Sequence, residues 1–218
     1  PLRVDVSSAD DVAALTRLAR GLGRLAAVVH TAGVSPAQAT PEEVVAVDVV
    51  GTARVIEAFE PLVEPGTVGV CIASMAGTMT TLTSDELASL ATTPTERLAD
   101  LALLDPATLD PGAAYGIAKR ANQVRVEAAS VAWGRRGGRL LSISPGVIAT
   151  PMGQAELAGP FGAVMRSMIQ ASGTRRMGTP DDIAAAVEFL VGPAASFLTG
   201  TDVLVDGGVV AAMRYPGL

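Results

Sequence analysis

Tyr115 and Lys119, in Ala114-Tyr115-Gly116-Ile117-Ala118-Lys119-Arg120-Ala121, stand four residues apart. On a helix both side chains leave one face a turn apart and can serve one substrate. A phenol is a poor proton donor or acceptor near neutrality because its ordinary pKa is about 10, and an ammonium within a few ångströms favours the phenolate. The spacing therefore predicts a Tyr115 whose pKa Lys119 lowers into a range useful for acid–base work. The alternative for the same pair is a solvated helix face. The chain has only two tyrosines and this one lysine.

Three further segments carry polar or glycine residues at the ends of apolar runs. His30-Thr31-Ala32-Gly33 closes one, Ser74 with Ala76-Gly77 closes the next, and Ser144-Pro145-Gly146-Val147-Ile148-Ala149-Thr150-Pro151 closes a third. If the runs are parallel strands, all three lie at carboxyl ends, where open α/β sheets bind ligands.

The elements that must position these residues are legible. Short apolar runs alternate with longer amphipathic stretches, the signal of a doubly wound α/β domain with a parallel sheet buried on both faces. Strands are predicted at Leu2–Val6, Leu25–His30, Val68–Ala73, Arg139–Ser144 and Asp202–Val205. Thr40-Pro41-Glu42-Glu43, Thr93-Pro94-Thr95-Glu96 and Thr179-Pro180-Asp181-Asp182 each place a capping hydroxyl before a first-turn proline and an acid three residues on. Ser7 and Ser8, followed by Asp10 and Asp11, do the same. Helices follow at 8–22, 41–63, 94–104, 112–133 and 180–191. No repeat or linker divides residues 1–218, which read as a single domain.

Composition narrows the function. The chain is 49% hydrophobic and carries a net charge of -6, with 15 Arg and one Lys scattered among 22 acids. No basic stripe exists to neutralise a nucleic-acid backbone, and no apolar run approaches the roughly 18 residues of a membrane span. These features predict a cytoplasmic protein that binds neither nucleic acid nor membrane. One His and one Cys cannot assemble a zinc site unaided, so no metal is expected. Cys71, inside Val68 to Ala73, reads as a buried small hydrophobe, and His30 as a structural histidine rather than a proton carrier.

In order along the chain, these motifs resemble the short-chain dehydrogenase/reductase family: the strand-ending Ala-Gly at 32–33, Ser74, Tyr-x-x-x-Lys at 115–119, Pro145-Gly146, and the tail from Thr199-Gly200-Thr201 to Asp206-Gly207-Gly208. The resemblance implies a Rossmann-like fold and interconversion of a secondary alcohol and a ketone with NAD or NADP. It makes Tyr115 the proton donor, Ser74 the hydroxyl that holds the carbonyl oxygen, and Lys119 the ribose ligand. Asp5 and Val6 correspond to the adenine contact, Thr31, Ala32 and Gly33 to the backbone beside the adenosine. Pro145, Gly146, Val147, Ile148 and Thr150 correspond to the nicotinamide clamp. Gly33 and Gly146 then mark where backbone approaches a ligand that a Cβ would block.

The chain departs from the family pattern in three places. The Gly-rich turn has no match, which implies a fold that is N-terminally incomplete, lacking its first strand-helix-strand portion. The chain opens at Pro1 as if inside a domain, so a longer native protein is expected, and the residue that chooses between NAD and NADP is not here to read. Asp48, in Val47-Asp48-Val49-Val50-Gly51-Thr52, occupies the place of the family's helix asparagine. Its carboxylate can hold a relay water, or it is a plain helix-kink acid. Finally, 41 residues separate Ser74 from Tyr115, far more than is usual, marking 78–111 as an insertion.

That insertion has Leu87, Leu90, Leu98, Leu101 and Leu104 on what reads as one apolar side. Together with Ala132-Trp133-Gly134 and the Met213-Arg214 ending, it resembles the bacterial 3-alpha-hydroxysteroid dehydrogenase/carbonyl reductase subgroup. The insertion is expected to cover the substrate mouth and the 41–63 and 112–133 helix face, favouring a dimer through the C-terminal strand and helix over a tetramer; the alternative is an inert surface excursion. Met152, Met165, Met168 and Met177 beside Phe161 suggest a lid that accepts bulky apolar ketones. The alternatives are a non-catalytic nucleotide-binding scaffold that kept the fold, and a sugar epimerase or dehydratase of the extended branch.

Overall fold

Strands buried on both faces read as apolar runs; of the four strands that pair in this chain, the two central ones are buried almost throughout and the two outer ones are partly exposed. The computed structural model describes residues 1–216. Helix α1 (Ala9–Leu22) precedes β1 (Ala27–His30). Next come α2 (Pro41–Val44), a π-helical segment Val45–Gly51 and α3 (Thr52–Phe59), a nearly continuous rod. Strand β2 (Val68–Ile72) leads to α4 (Met75–Met79), α5 (Ser84–Thr92) and the long α6 (Pro111–Arg135). After β3 (Arg139–Pro145) come α7 (Pro151–Ala158), α8 (Gly162–Ala171) and α9 (Pro180–Val191). Strand β4 (Asp202–Val205) and α10 (Val209–Arg214) close the order.

The strands lie in the order β1-β2-β3-β4, all parallel. Alternate side chains face opposite helix layers, as the two-residue period requires. Val70, Leu141 and Ile143 pack with Leu190 of α9 on one face. Cys71 and Leu140 pack on the other with Val12, Ile56, Phe59 and Trp133. Gly69 makes room for this: a Cβ there would lie 2.8 Å from the Trp133 ring. Thr40 and Thr179 form the expected capping boxes, and Asp110 caps α6 by accepting from the Ala113 N–H.

Two predicted elements differ. Leu2–Val6 is not a strand, because among the described residues no strand lies beside it. It runs without a ladder and is held by the Arg54 guanidinium, which donates to the carbonyls of Val6 at 3.0 Å and Ser7 at 2.9 Å. The predicted helix 94–104 is instead two 3₁₀ segments, Thr95–Asp100 and Ala102–Leu104. Its side chains repeat every three residues, the 3₁₀ period. Thr95, Leu98 and Leu104 are buried and Leu101 half-buried on one edge. Thr93 caps nothing there; its carbonyl accepts from Arg125 at 2.9 Å. The box forms earlier, at Thr83 and Glu86.

The leucines of 87–104 pack as one cluster against Val44, Val45 and Val49 and against Ala114, Ala118 and Ala121 of α6. Arg125 pins this layer, donating to the Leu90 carbonyl at 3.0 Å, the Thr93 carbonyl and the Glu57 carboxylate at 2.9 Å. Among the described residues, no helix is long and apolar enough to cross a membrane.

Candidate active site

Ser74 leaves the end of β2 with extended backbone (φ -167°, ψ 153°) and caps α4, its Oγ accepting from the Ala76 N–H at 3.2 Å. Helix α4 can sit on α6 only through glycine. A Cβ on Gly77 would lie 2.6 Å from the carbonyl carbon of Lys119, and one on Gly116 would lie 2.5 Å from Thr80 Oγ1. This close approach sets Ser74 against the α6 face carrying Tyr115 and Lys119.

On that face Lys119 Nζ lies 5.3 Å from the centre of the Tyr115 ring and 3.4 Å from Asp48 Oδ2. Asp48 stands in the middle of the π-helical segment, fully buried, and its Oδ1 accepts from the Val34 N–H at 3.0 Å. π-Helical turns are frequent at functional sites because they re-aim a side chain. Here the turn carries a carboxylate to the lysine, and among the described residues Asp48 Oδ2 has no hydrogen-bond partner besides that ion pair. His30 is buried with Nε2 3.0 Å from Thr52 Oγ1.

Burial controls the protonation of these groups. It pushes the Tyr115 phenol well above its usual value, helped by the negative charges of Asp48 and Glu156 and opposed by the nearby Ser74 hydroxyl. The expected lowering by Lys119 is thus corrected: desolvation disfavours the phenolate, and the ammonium closes on Asp48. Burial also raises Asp48, with Lys119 opposing it. It lowers His30 to about 4 and raises Cys71 to about 12, so His30 is neutral and Cys71 a thiol near pH 7.

The remaining predicted residues divide between two places. Asp5, Val6, Ala32 and Gly33 line a cleft of about 510 Å³ with Arg3, Val4, Asp11 and Val47. Thr31 is exposed at the end of β1 and does not line it. Asp5 is held ionised by the Ser7 hydroxyl and N–H. At the end of β3, Gly146 N–H donates to Val205 O at 3.0 Å, and Gly178 N–H donates to Val147 O at 2.9 Å. The Val147 side chain is buried among Met75 and Ile169, while Thr150 Oγ1 caps α7, accepting from Gly153 N–H at 3.1 Å. Pro145 and Ile148 lie half-buried beside them.

Both glycines are also needed within the protein itself. A Cβ on Gly33 would lie 2.9 Å from Asp48 Oδ1 and 3.2 Å from Lys119 Nζ, and one on Gly146 would lie 2.7 Å from Asp206 Cα. The protein's own atoms fill the space. Of the residues read as a lid, Met165, Met168 and Met177 pack around Val147 and Ile169, while the Phe161 side chain is 72% exposed.

Sequence reasoning missed Gln123 and Arg125. Helix α6 is buried on nearly all sides, from Ala114 through Val126, so no polar face betrays which of its polar residues turns inward.

Residues 107–210 match a family model described as enoyl-(acyl carrier protein) reductase. The chain is 40% identical over 212 residues to short-chain dehydrogenase/reductase bsc3 of Alternaria brassicicola, covering 95% of this chain and 77% of that protein. To the 3-alpha-hydroxysteroid dehydrogenase/carbonyl reductase of Comamonas testosteroni it is 32% identical over 204 residues, covering 92% and 77%. Among solved structures, the 3-alpha-hydroxysteroid dehydrogenase of Pseudomonas sp. B-0831 complexed with NADH superposes with a TM-score of 0.83 at 27% identity, over 99% of this chain and 85% of that one. Likeness of this extent, in sequence and in the parallel sheet with helices on both faces, means that the chain belongs to the short-chain dehydrogenase/reductase family.

Proposed function

We propose that this protein interconverts a secondary alcohol and a ketone with NAD or NADP, using Ser74, Tyr115 and Lys119. The observation that carries the reading is the gathering of a serine hydroxyl, a phenol and a buried lysine beyond the carboxyl end of β2. The nicotinamide cofactor, when bound, supplies or accepts the hydride. In reduction, negative charge develops on the ketone oxygen. Ser74 Oγ–H and Tyr115 Oη–H, aimed at that oxygen, stabilise the transition state more than the ground state. Tyr115, kept protonated by burial, then gives up its proton to the oxygen.

The residues present fit a dinucleotide. The Asp5 carboxylate, ionised at the open cleft, suits an exocyclic amine, with Val6, Ala32 and Gly33 beside it and Thr31 exposed just outside. Lys119, held by Asp48, would donate to ribose hydroxyls. Pro145, Gly146, Val147, Ile148 and Thr150, fixed by their bonds to β4 and to Gly178, would hold the carboxamide end. Asp48 Oδ2 can accept from a relay water beside Lys119. The apolar cluster of Met75, Met79, Leu157 and Met165 suits a bulky apolar alcohol or ketone, and the names of the Comamonas and Pseudomonas relatives give a 3-alpha-hydroxysteroid. The leucine layer over α2 and α6 favours a dimer.

Nicotinamide fluorescence with a panel of bulky alcohols and ketones tests this. Tyr115→Phe is expected to abolish turnover while cofactor binding persists. Ser74→Ala should lower kcat by about 10²-fold or more, the usual cost of one donor to a developing oxyanion. Cofactor binding without any turnover would favour the scaffold reading instead.

A further inference from the structure

Gln123 is a buried polar side chain, 1% exposed, that the chemistry above does not use. It lies on α6 one turn beyond Lys119. Its Nε2 donates toward Ser144 Oγ at 2.8 Å, Thr78 Oγ1 at 3.0 Å, Asp202 Oδ2 at 3.2 Å and the Ser74 carbonyl at 3.5 Å. Its Oε1 accepts from Arg120 Nη1 at 2.9 Å. An amide has two N–H groups, so these four contacts are shared. Asp202, the carboxylate in this network, takes the Ser142 hydroxyl at 2.6 Å on its other oxygen.

The acceptors come from four places: Ser74 just beyond β2, helix α4, strand β3 and strand β4. A buried polar group is costly unless satisfied, and a satisfied network specifies one arrangement of the elements it joins. Two of its members flank the site: Ser74 itself, and Ser144, which immediately precedes Pro145.

We propose that Gln123 is a positioning residue, tying the main chain at Ser74 to Ser144 so that the Ser74 hydroxyl and the 145–150 loop keep one fixed spacing opposite Tyr115. The proposal rests on the reading of Ser74 as the hydroxyl that holds the carbonyl oxygen. A misplacement of about 1 Å at such a group costs on the order of 10²-fold in rate.

Two variants of the full-length protein test it. Gln123→Met keeps the length and removes both donors; kcat is expected to fall on the order of 10²-fold while cofactor affinity stays within about twofold. Gln123→Glu keeps the shape but donates only when protonated. Ionised, it faces the Asp202 carboxylate and the Ser74 carbonyl, with Arg120 at its other oxygen and Arg214 on the nearby Thr78 carbonyl, so its kcat relative to wild type should be highest in acid and fall as pH rises. A role in stability alone would lower the melting temperature of both variants without this pH-dependent ratio, and that result overturns the proposal. So does a Gln123→Met kcat within twofold of wild type. Amide hydrogen exchange over 74–80 and 142–148 gives a readout independent of turnover. Loosening confined to those segments in Gln123→Met supports the tether, and unchanged protection there overturns it. A wild type without Tyr115-dependent turnover would instead sink the functional reading, leaving the exchange data to judge the tether.

Discussion

At the scale of single residues, a half-buried phenol beside a buried ion pair has a definite pH signature. Tyr115 stays protonated through neutrality because burial, Asp48 and Glu156 all oppose its ionisation. Ketone reduction, which needs the proton in place, should therefore be flat across neutral pH. Alcohol oxidation needs the phenolate and should rise steadily with alkalinity. Since Asp48 is one of the charges that raise Tyr115, Asp48→Asn should move the alkaline rise of oxidation toward neutral pH. A kcat–pH profile left in place would show that the two groups do not communicate. Gly33→Ala acts on the same pair through volume: its Cβ would meet Asp48 Oδ1 at 2.9 Å and Lys119 Nζ at 3.2 Å. It is expected to lower cofactor affinity by displacing the lysine, at about 1–3 kcal/mol of overpacking, read by fluorescence titration and thermal melting.

The elements owe their placement to contacts that no local pattern displays. Arg125 holds the layer of residues 84–104 by binding two main-chain carbonyls and Glu57. Its removal leaves those carbonyls short of a partner, which costs ~1–3 kcal/mol each. Arg125→Ala should accordingly lower the melting temperature by several degrees, about 2–4 °C per kcal/mol at this size, and speed hydrogen exchange in 84–104 ahead of the sheet. Uniform destabilisation would show that Arg125 is not a local clamp. The capping boxes at Thr40 and Thr179 were legible because a cap is a contact within four residues. The 94–104 segment was misread as an α-helix because its leucines obey a period of three, and a few turns cannot separate 3.0 from 3.6 before the buried edge is seen.

The whole molecule presents two faces with different prospects. The leucine layer covers the outer side of α2 and α6, while the edge at β4 and α9 leaves Phe189 at 51%, Phe197 at 100% and Leu204 at 38% exposed. A stable homodimer needs roughly 800 Å² per partner with an apolar centre, and this edge offers the aromatic anchors. Light scattering of the full-length protein should give a dimer that Phe197→Asp dissociates. A tetramer unaffected by Phe197→Asp would place the interface elsewhere.

Alternating apolar runs, helix caps and the order of Ser74, Tyr115 and Lys119 were determined by the sequence alone, since strand, cap and i,i+4 geometry depend on near neighbours. Only the tertiary structure decided that the carboxylate of Asp48 meets Lys119, and that Gly33 and Gly146 accommodate the protein's own atoms. It likewise decided that Gln123 turns inward to join three strand ends and α4. Each of these outcomes brings together residues far apart in the chain and is settled by burial. Desolvation, which moved Tyr115 upward where charge spacing predicted a fall, is set by every atom packed around a group, and no window of sequence contains them.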